Sequence, residues 1–486
     1  MARSGFPAAT RSGWVEIFRG RLGLYTMLVN FGILFFGIDS FVVNTLMPTI
    51  VGDIGGLAYY AWVTMLFVVG AIVGSASYGP LRGRLGGRDA LALGGIIFTL
   101  CALACSLAPD MTTLLAARLF EGWGGGIIVA GAMAFTSALY EPRLRTHAIA
   151  FTSVTWIGSA LLGPLLGGIF AAAAWWRGAF WLYVPFGVVF VAAVWLGIPR
   201  DADRGPTELR LARFPVWRLL LLGVGVVCVG LAGRAAGELL RPLLLVAASV
   251  IVWLAFWLDA RAGNRLFPTR PLSLSHPVGL GYWTLILVVG AYTAISIFLP
   301  LVLTVLHRIE PLFVGVVNAL MSVSWSIAAA LVAGLHGGAE KRAMTAGPLC
   351  LLAGAAGLAA ATWFAGHLAI VAALAVLIGF GIGFINVHMM AKVMAAALPG
   401  EESVTASSLS TIRSLGMAFG AAIASTVANL AGLEAIATPD AVSAAATGVY
   451  LFNLLPLTLA VIVVLRFFQV TTAATRADAV QARSLR

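Results

Sequence analysis

Apolar residues in this chain neither alternate nor keep to one helical face; they run on in long blocks. Fourteen such blocks follow one another, most separated by short charged or Gly/Pro-rich turns. An α-helix needs about 20 apolar residues to cross roughly 30 Å of hydrocarbon. The pattern therefore predicts membrane-spanning helices over 24–50, 58–81, 90–108, 112–138, 147–170, 179–198, 215–233, 241–259, 278–306, 311–335, 343–364, 368–398, 403–430 and 444–467. Several are longer than a bilayer requires, which leaves room for tilt. The run 24–50 is too long for a signal-peptide core and is expected to be the first spanning helix. The expected fold class is an all-α polytopic membrane protein.

Composition excludes the soluble alternative. The chain of 486 residues is 61% hydrophobic and 10% charged, with a mean hydropathy of +1.00. A soluble domain carries about 25% charged residues, and one domain of this length cannot bury so many all-apolar helices. Its net charge of +11 does not point to nucleic acid, because the basic residues lie almost entirely between the spans. There they meet anionic lipid headgroups and set orientation. With the start of the chain placed in the cytoplasm, inner segments hold twenty-three Lys and Arg and outer segments only Arg177, Arg234, Arg241 and Arg308. That bias puts both termini in the cytoplasm. A bacterial cytoplasmic membrane is the expected location.

The longest hydrophilic stretch, about 199–214, is the natural joint between halves. The expected organisation is a six-helix bundle over 1–198, a linker with two additional helices over 199–277, a second six-helix bundle over 278–467 and a loose cytoplasmic tail over 468–486. The four cysteines, Cys101, Cys105, Cys228 and Cys350, lie in apolar blocks without CxxC spacing, so neither disulfide scaffold nor zinc site is indicated. Six scattered histidines supply no metal-ligand spacing, and no Gly-rich lysine loop for a nucleotide is present. No cofactor, no metal and no enzymatic activity are expected. A small-molecule substrate, protons and lipid are the expected partners, with one copy of the chain sufficient for function.

Ionisable residues inside spans cost at least about 2.5–3.5 kcal/mol each and usually face a cavity or a partner. Asp39 lies near the middle of the first span, as a proton-binding carboxylate or as a fixed acceptor for Asn30 or Asn44. Arg118 and Glu121 are three apart on one face of the fourth span, either a pair that opens on protonation or a structural salt bridge. His388 and Lys392, four apart in the twelfth span, offer a cation for an anionic substrate or a partner for a carboxylate. Arg413, about three turns into the thirteenth, is expected near Glu401 or Glu402 at an inner gate. Trp62 and Trp156 fall within spans, where an indole stacks on flat or cationic ligands, and Asn44 joins them as a cavity candidate.

Several strings resemble one known family. GSALLGPLLGG over 158–168 matches the antiporter motif GxxxxGPxxGG of drug/proton antiporters in the major facilitator superfamily. RLFEGWG over 118–124 resembles its fourth-helix motif RxxQGxG, with Glu121 in place of Gln. DSFVVNTLMPTI over 39–50 resembles the DxTIVNxALPxI signature of the fourteen-helix branch, and ASSLSTIRSLGMAFG over 406–420 its thirteenth helix. The resemblance covers nearly the whole chain. It implies two six-helix bundles with two intervening helices, alternating access, and proton-driven export of an amphipathic organic compound or drug. A proton-coupled transporter of a specific metabolite, anionic in view of Lys392, is the close alternative.

The resemblance also implies roles. Arg118 takes part in proton coupling, beside the candidate proton carriers Asp39 and Glu121 read from their positions in the spans. Gly158, Gly163, Pro164, Gly167 and Gly168 act in gating, as do Gly79, Arg82, Arg84, Gly87 and Arg88 of the loop after the second helix. That loop departs from the family's GxLaDrxGrk, because Gly83 stands where the anion should be and cannot close a charged lock. Asp89 is the nearest substitute. A decayed copy, GLHGGAEKR over 334–342, appears in the second half, as internal duplication requires.

Overall fold

The computed structural model describes residues 9–199, 216–235, 239–433 and 438–484. Its helices are α1 (Ala9–Glu16), α2 (Gly20–Ile54), α3 (Trp62–Leu85), α4 (Gly87–Ser106), α5 (Met111–Leu139), α6 (Pro142–Ala172), α7 (Trp176–Gly197), α8 (Val216–Ala232), α9 (Leu240–Arg261), α10 (Pro277–Val305), α11 (Pro311–Val332), α12 (Gly337–Trp363), α13 (Leu368–Ala395), α14 (Glu402–Leu430), α15 (Pro439–Phe452) and α16 (Leu454–Ser484). A short 3₁₀ turn, Leu57–Tyr59, separates α2 from α3, and no strand occurs among the described residues.

Thirteen spans in these residues are long and apolar enough to cross a membrane, with α15 and α16 counted together. The shorter apolar helix α8 supplies the fourteenth predicted block, and the expected joint lies almost wholly outside the described residues. Helix ends follow local chemistry. Proline stands in the first turn of α6, α10, α11 and α15, where its missing N–H costs nothing. Asp110 caps α5 by accepting from Thr113 N at 2.8 Å. Gly86, at φ 86°, turns the chain from α3 to α4 in one residue, a conformation that a Cβ disfavours.

Three features differ from the sequence expectation. The last block is broken at Asn453, because Pro456 has no N–H for the carbonyl of Phe452. The segment expected as a loose tail continues α16 to Ser484; it is rich in Ala and Arg and free of Gly and Pro. The short helix α1, packed on α6, has no counterpart among the predicted spans.

Helices α2–α7 form one packed group and α10–α16 a second. Within the first, α3 and α5 approach closely because glycines alternate across the contact. A methyl on Gly122 would lie 2.0 Å from the Phe67 carbonyl oxygen, and one on Gly70 2.0 Å from that of Leu119. The groups meet chiefly along two seams, α6 with α11 and α3 with α14, and α2 also touches α10 and α11. Their cross-group hydrogen bonds lie toward one end: Asn318 donates to Thr45 Oγ1 at 3.2 Å, and Asn429 donates to the Ala58 carbonyl at 3.0 Å.

Toward the other end one face of α14 becomes exposed. On α14, positions 406, 410, 413, 417, 421, 424 and 428 share one face at three-and-four spacing. Ala421, Ala424 and Ala428 are buried, Arg413 and Met417 half-buried, and Ala406 and Ser410 exposed. The helix pair α8–α9 packs outside the α3–α14 seam, where α8 touches both groups and α9 lies at the periphery. Arg218 of α8 binds Asp259 of α9 and both oxygens of Asn264 at 2.7 and 2.9 Å, while Asp259 accepts from Leu266 N and Phe267 N. This buried network makes the pair one unit.

Candidate functional site

Inside the first group, Arg118 Nη1 donates to Asp39 Oδ2 and to Glu121 Oε2, each at 2.7 Å. The three side chains are 0–1% exposed, so the cluster is sealed on all sides. The close α3–α5 packing puts the Phe67 ring 4.0 Å below the Arg118 guanidinium, and Phe180 of α7 lies 5.9 Å away. Cys105 of α4 donates its thiol to Glu121 Oε2 at 3.3 Å. Phe36 stacks on Phe67, and Phe35 meets Tyr183, completing an apolar box. Charges so placed interact strongly because no water screens them.

The charge count is unequal. Two carboxylates face one guanidinium, which remains protonated in any protein. With both acids ionised, the box holds one uncompensated negative charge; one proton makes it neutral. Asp39 Oδ1 and Glu121 Oε1 are buried and have no hydrogen-bond partner among the described residues, and each is a place where that proton fits. Sequence reading selected all three residues but joined only Arg118 to Glu121. The alternative partners of Asp39 are engaged elsewhere: Asn30 bonds to Thr26 and Thr155, and Asn44 accepts from Thr64 at 2.7 Å. Cys105 and Phe67 were not singled out, and only their helix phase relative to Glu121 would have pointed to them.

The other predicted residues lie apart from this cluster. Trp156 is half-buried edge-on to Phe36, while Trp62 is buried beside Tyr59 and Gly230 of α8. His388 and Lys392 sit toward the end of α13, where Lys392 Nζ meets Glu340 Oε1 at 2.9 Å and His388 Nδ1 faces the same oxygen at 3.4 Å. His388 Nε2 lies 2.7 Å from the Val332 carbonyl, so this cluster ties α11, α12 and α13 together. Glu340, not anticipated as a partner, comes from the decayed loop copy.

The motif glycines divide by target. Gly163 and Gly167 let α2 approach, at Phe41 and Thr45, while Gly168 faces Pro311 and Leu312 of α11 across the seam. Gly158 opens onto free space, and Pro164 lends its carbonyl to the contact with Gly315. Gly79 precedes Pro80 near the end of α3, Arg82 and Arg84 occupy its last turn, and Gly87 and Arg88 begin α4. Asp89 pairs with the adjacent Arg88 at 2.8 Å, and a Cβ at Gly83 would meet nothing within 4 Å. Arg413 does not reach Glu401, whose carboxylate binds Thr269 N and Oγ1 instead. Arg413 lies eleven positions beyond Glu402 along the helix, about 16 Å of rise.

The polytopic bundle of two helix groups, one of them enclosing a sealed ionic cluster, has the architecture of a membrane transporter. The Major Facilitator Superfamily profile matches residues 29–421, and the chain belongs to that superfamily. It is similar to the "Probable multidrug-efflux transporter Rv1634" of Mycobacterium tuberculosis, 29% identical, over 87% of this chain and 91% of that one. It is also similar to the "Riboflavin transporter RibZ" of Clostridioides difficile, 25% identical, over 82% and 87% of the respective chains. Among solved structures, a peptide transporter POT in complex with sulfate shares the fold with a TM-score of 0.65 at 14% identity, over 92% of this chain and 95% of that one.

Proposed function

We propose that this protein is a proton-coupled antiporter that exports amphipathic organic compounds across a bacterial cytoplasmic membrane, working as a single copy. The observation that carries the reading is the sealed Asp39–Arg118–Glu121 cluster, whose two acids and one base are neutral only with one bound proton. Similarity to a protein named as a multidrug-efflux transporter supports export of a drug-like compound. In this reading both termini are cytoplasmic, as the basic-residue bias argues. The end where the α14 face is exposed then opens to the cytoplasm, and the halves 1–198 and 278–467 rock against one another.

Substrate enters from the cytoplasmic side, the groups close there through the loop of Gly79, Arg82, Arg84, Gly87 and Arg88, and the seams lined by Gly168 and Gly315 open outside. A proton taken up by the cluster neutralises it and favours return. Two states that differ by a few kcal/mol suffice for such a cycle.

The test is substrate-driven proton movement in proteoliposomes. Asp39→Asn leaves a neutral Arg118–Glu121 pair, so the protein folds and still binds substrate, but substrate addition no longer moves protons. Unchanged coupling in that variant removes Asp39 from the mechanism; no substrate-dependent proton movement in the wild type removes antiport. The second reading, a proton-coupled carrier of one specific metabolite, draws on the similarity to a protein named as a riboflavin transporter. Uptake competition by chemically diverse compounds separates the two: a broad inhibitor range favours the first.

A further inference from the structure

Most ionisable side chains at membrane depth in the described residues have a partner of opposite charge. Arg118 has Asp39 and Glu121, Arg218 has Asp259, and Lys392 has Glu340. Arg413 differs. Its Nε is buried without a hydrogen-bond partner, and no ion pair or hydrogen bond reaches its guanidinium among the described residues. The nearest acids on its own helix are Glu401, held by Thr269, and Glu402, in the exposed first turn. Arginine has no neutral form available, and the Nε edge of this half-buried guanidinium is left without a partner.

Its placement is as informative as its isolation. Arg413 lies on the α14 face that runs from exposed Ala406 and Ser410 to buried Ala421, Ala424 and Ala428. At the level where that face is buried, a different side of α14 reaches the first helix group, where Asn429 bonds to the Ala58 carbonyl. Arg413 therefore stands where this face of α14 passes from exposed to buried. A planar guanidinium with a free edge binds a carboxylate or sulfonate through two parallel N–H···O bonds, a geometry that lysine cannot copy.

We infer that Arg413 is an anion-recognition site for the transported molecule, so that the favoured substrates are amphipaths carrying a carboxylate or sulfonate group. This rests on the transport reading above and narrows it to a chemical class. An apolar body lies along the Met417 side, and the acid group neutralises Arg413.

The test uses full-length protein in detergent micelles, without a proton gradient, and a panel of aryl carboxylic acids of graded size beside their methyl esters. Equilibrium binding is measured for the wild type, Arg413→Lys and Arg413→Gln, each checked for a monodisperse profile and a wild-type melting temperature. The wild type is expected to bind acids at least tenfold more tightly than their esters. Arg413→Gln loses that preference with ester binding unchanged, and Arg413→Lys retains part of it. The inference is overturned if no acid on the panel outbinds its ester, or if Arg413→Gln discriminates as well as the wild type. Should Arg413→Gln not fold, Arg413→Lys decides: full retention of the preference also overturns it. Proton movement, read separately in proteoliposomes, distinguishes failure here from failure of antiport. Acid selectivity without proton movement leaves this site standing, and proton movement without acid selectivity leaves only the transport reading.

Discussion

Gly315 of α11 lies against Pro164 of α6 so closely that a methyl added to it would sit 2.4 Å from the proline carbonyl oxygen. Gly168, one turn on, would be 3.1 Å from that same methyl. In the proposed transport cycle this contact exists only while the two helix groups are closed at their joined end. Overpacking costs about 1–3 kcal/mol, which here falls on one conformation alone. Gly315→Ala is expected to shift the population away from closure at that end by about 5- to 150-fold. Spin labels at Ala173 and His307 read this as a longer distance distribution; an unchanged distribution contradicts it.

Among the described residues, Arg118 is the one base facing two sealed acids. Arg118→Met leaves them without a counter-charge, and breaking a buried ion pair from one side costs about 3–5 kcal/mol. The variant is expected to melt well below the wild type, while Arg118→Met combined with Asp39→Asn and Glu121→Gln recovers much of the loss. Thermal unfolding in detergent checks both, and equal melting of the single and triple variants would refute the charge argument.

Asp259 satisfies Arg218 and two backbone N–H groups at once. Asp259→Ala strands the buried Arg218 guanidinium and is expected to cost about 3–5 kcal/mol. The effect belongs to the α8–α9 pair, so limited proteolysis should cut first beside residues 262–266, before the two main groups are attacked.

His307 lies in the turn between α10 and α11, outside the spans. Burial pushes its imidazole below the usual histidine range, and His367 opposite adds repulsion. The unfolded chain therefore binds this proton more readily than the folded one. Stability is expected to fall as pH drops through the ordinary histidine value of about 6.5, until the folded-state value is passed. His307→Gln should flatten the melting temperature between pH 7.5 and 5.5 relative to the wild type.

The spans were legible because hydrocarbon thickness leaves a helix no freedom over composition, and proline and glycine mark where each run stops. Pairing was less legible. Asp39 and Arg118 are 79 residues apart on helices whose rotation the apolar pattern does not set, since both are apolar nearly all round. Glu340 and Lys392 lay at the same end of their spans, yet nothing local said that they meet. The Glu401 assignment failed on rise along the helix, a distance that sequence proximity concealed. The break at Asn453 was signalled by Pro456, but one long apolar run over 444–467 masked it.

The hairpin made by α8 and α9 leans on only one of the two seams. The α3–α14 flank is upholstered by α8, whereas the α6–α11 flank has no such cover among the described residues. The rotational likeness of the two main bundles therefore stops at their lipid boundary: one lateral fissure is walled, the other bare, and opposite sides of this carrier present different doors to the surrounding bilayer.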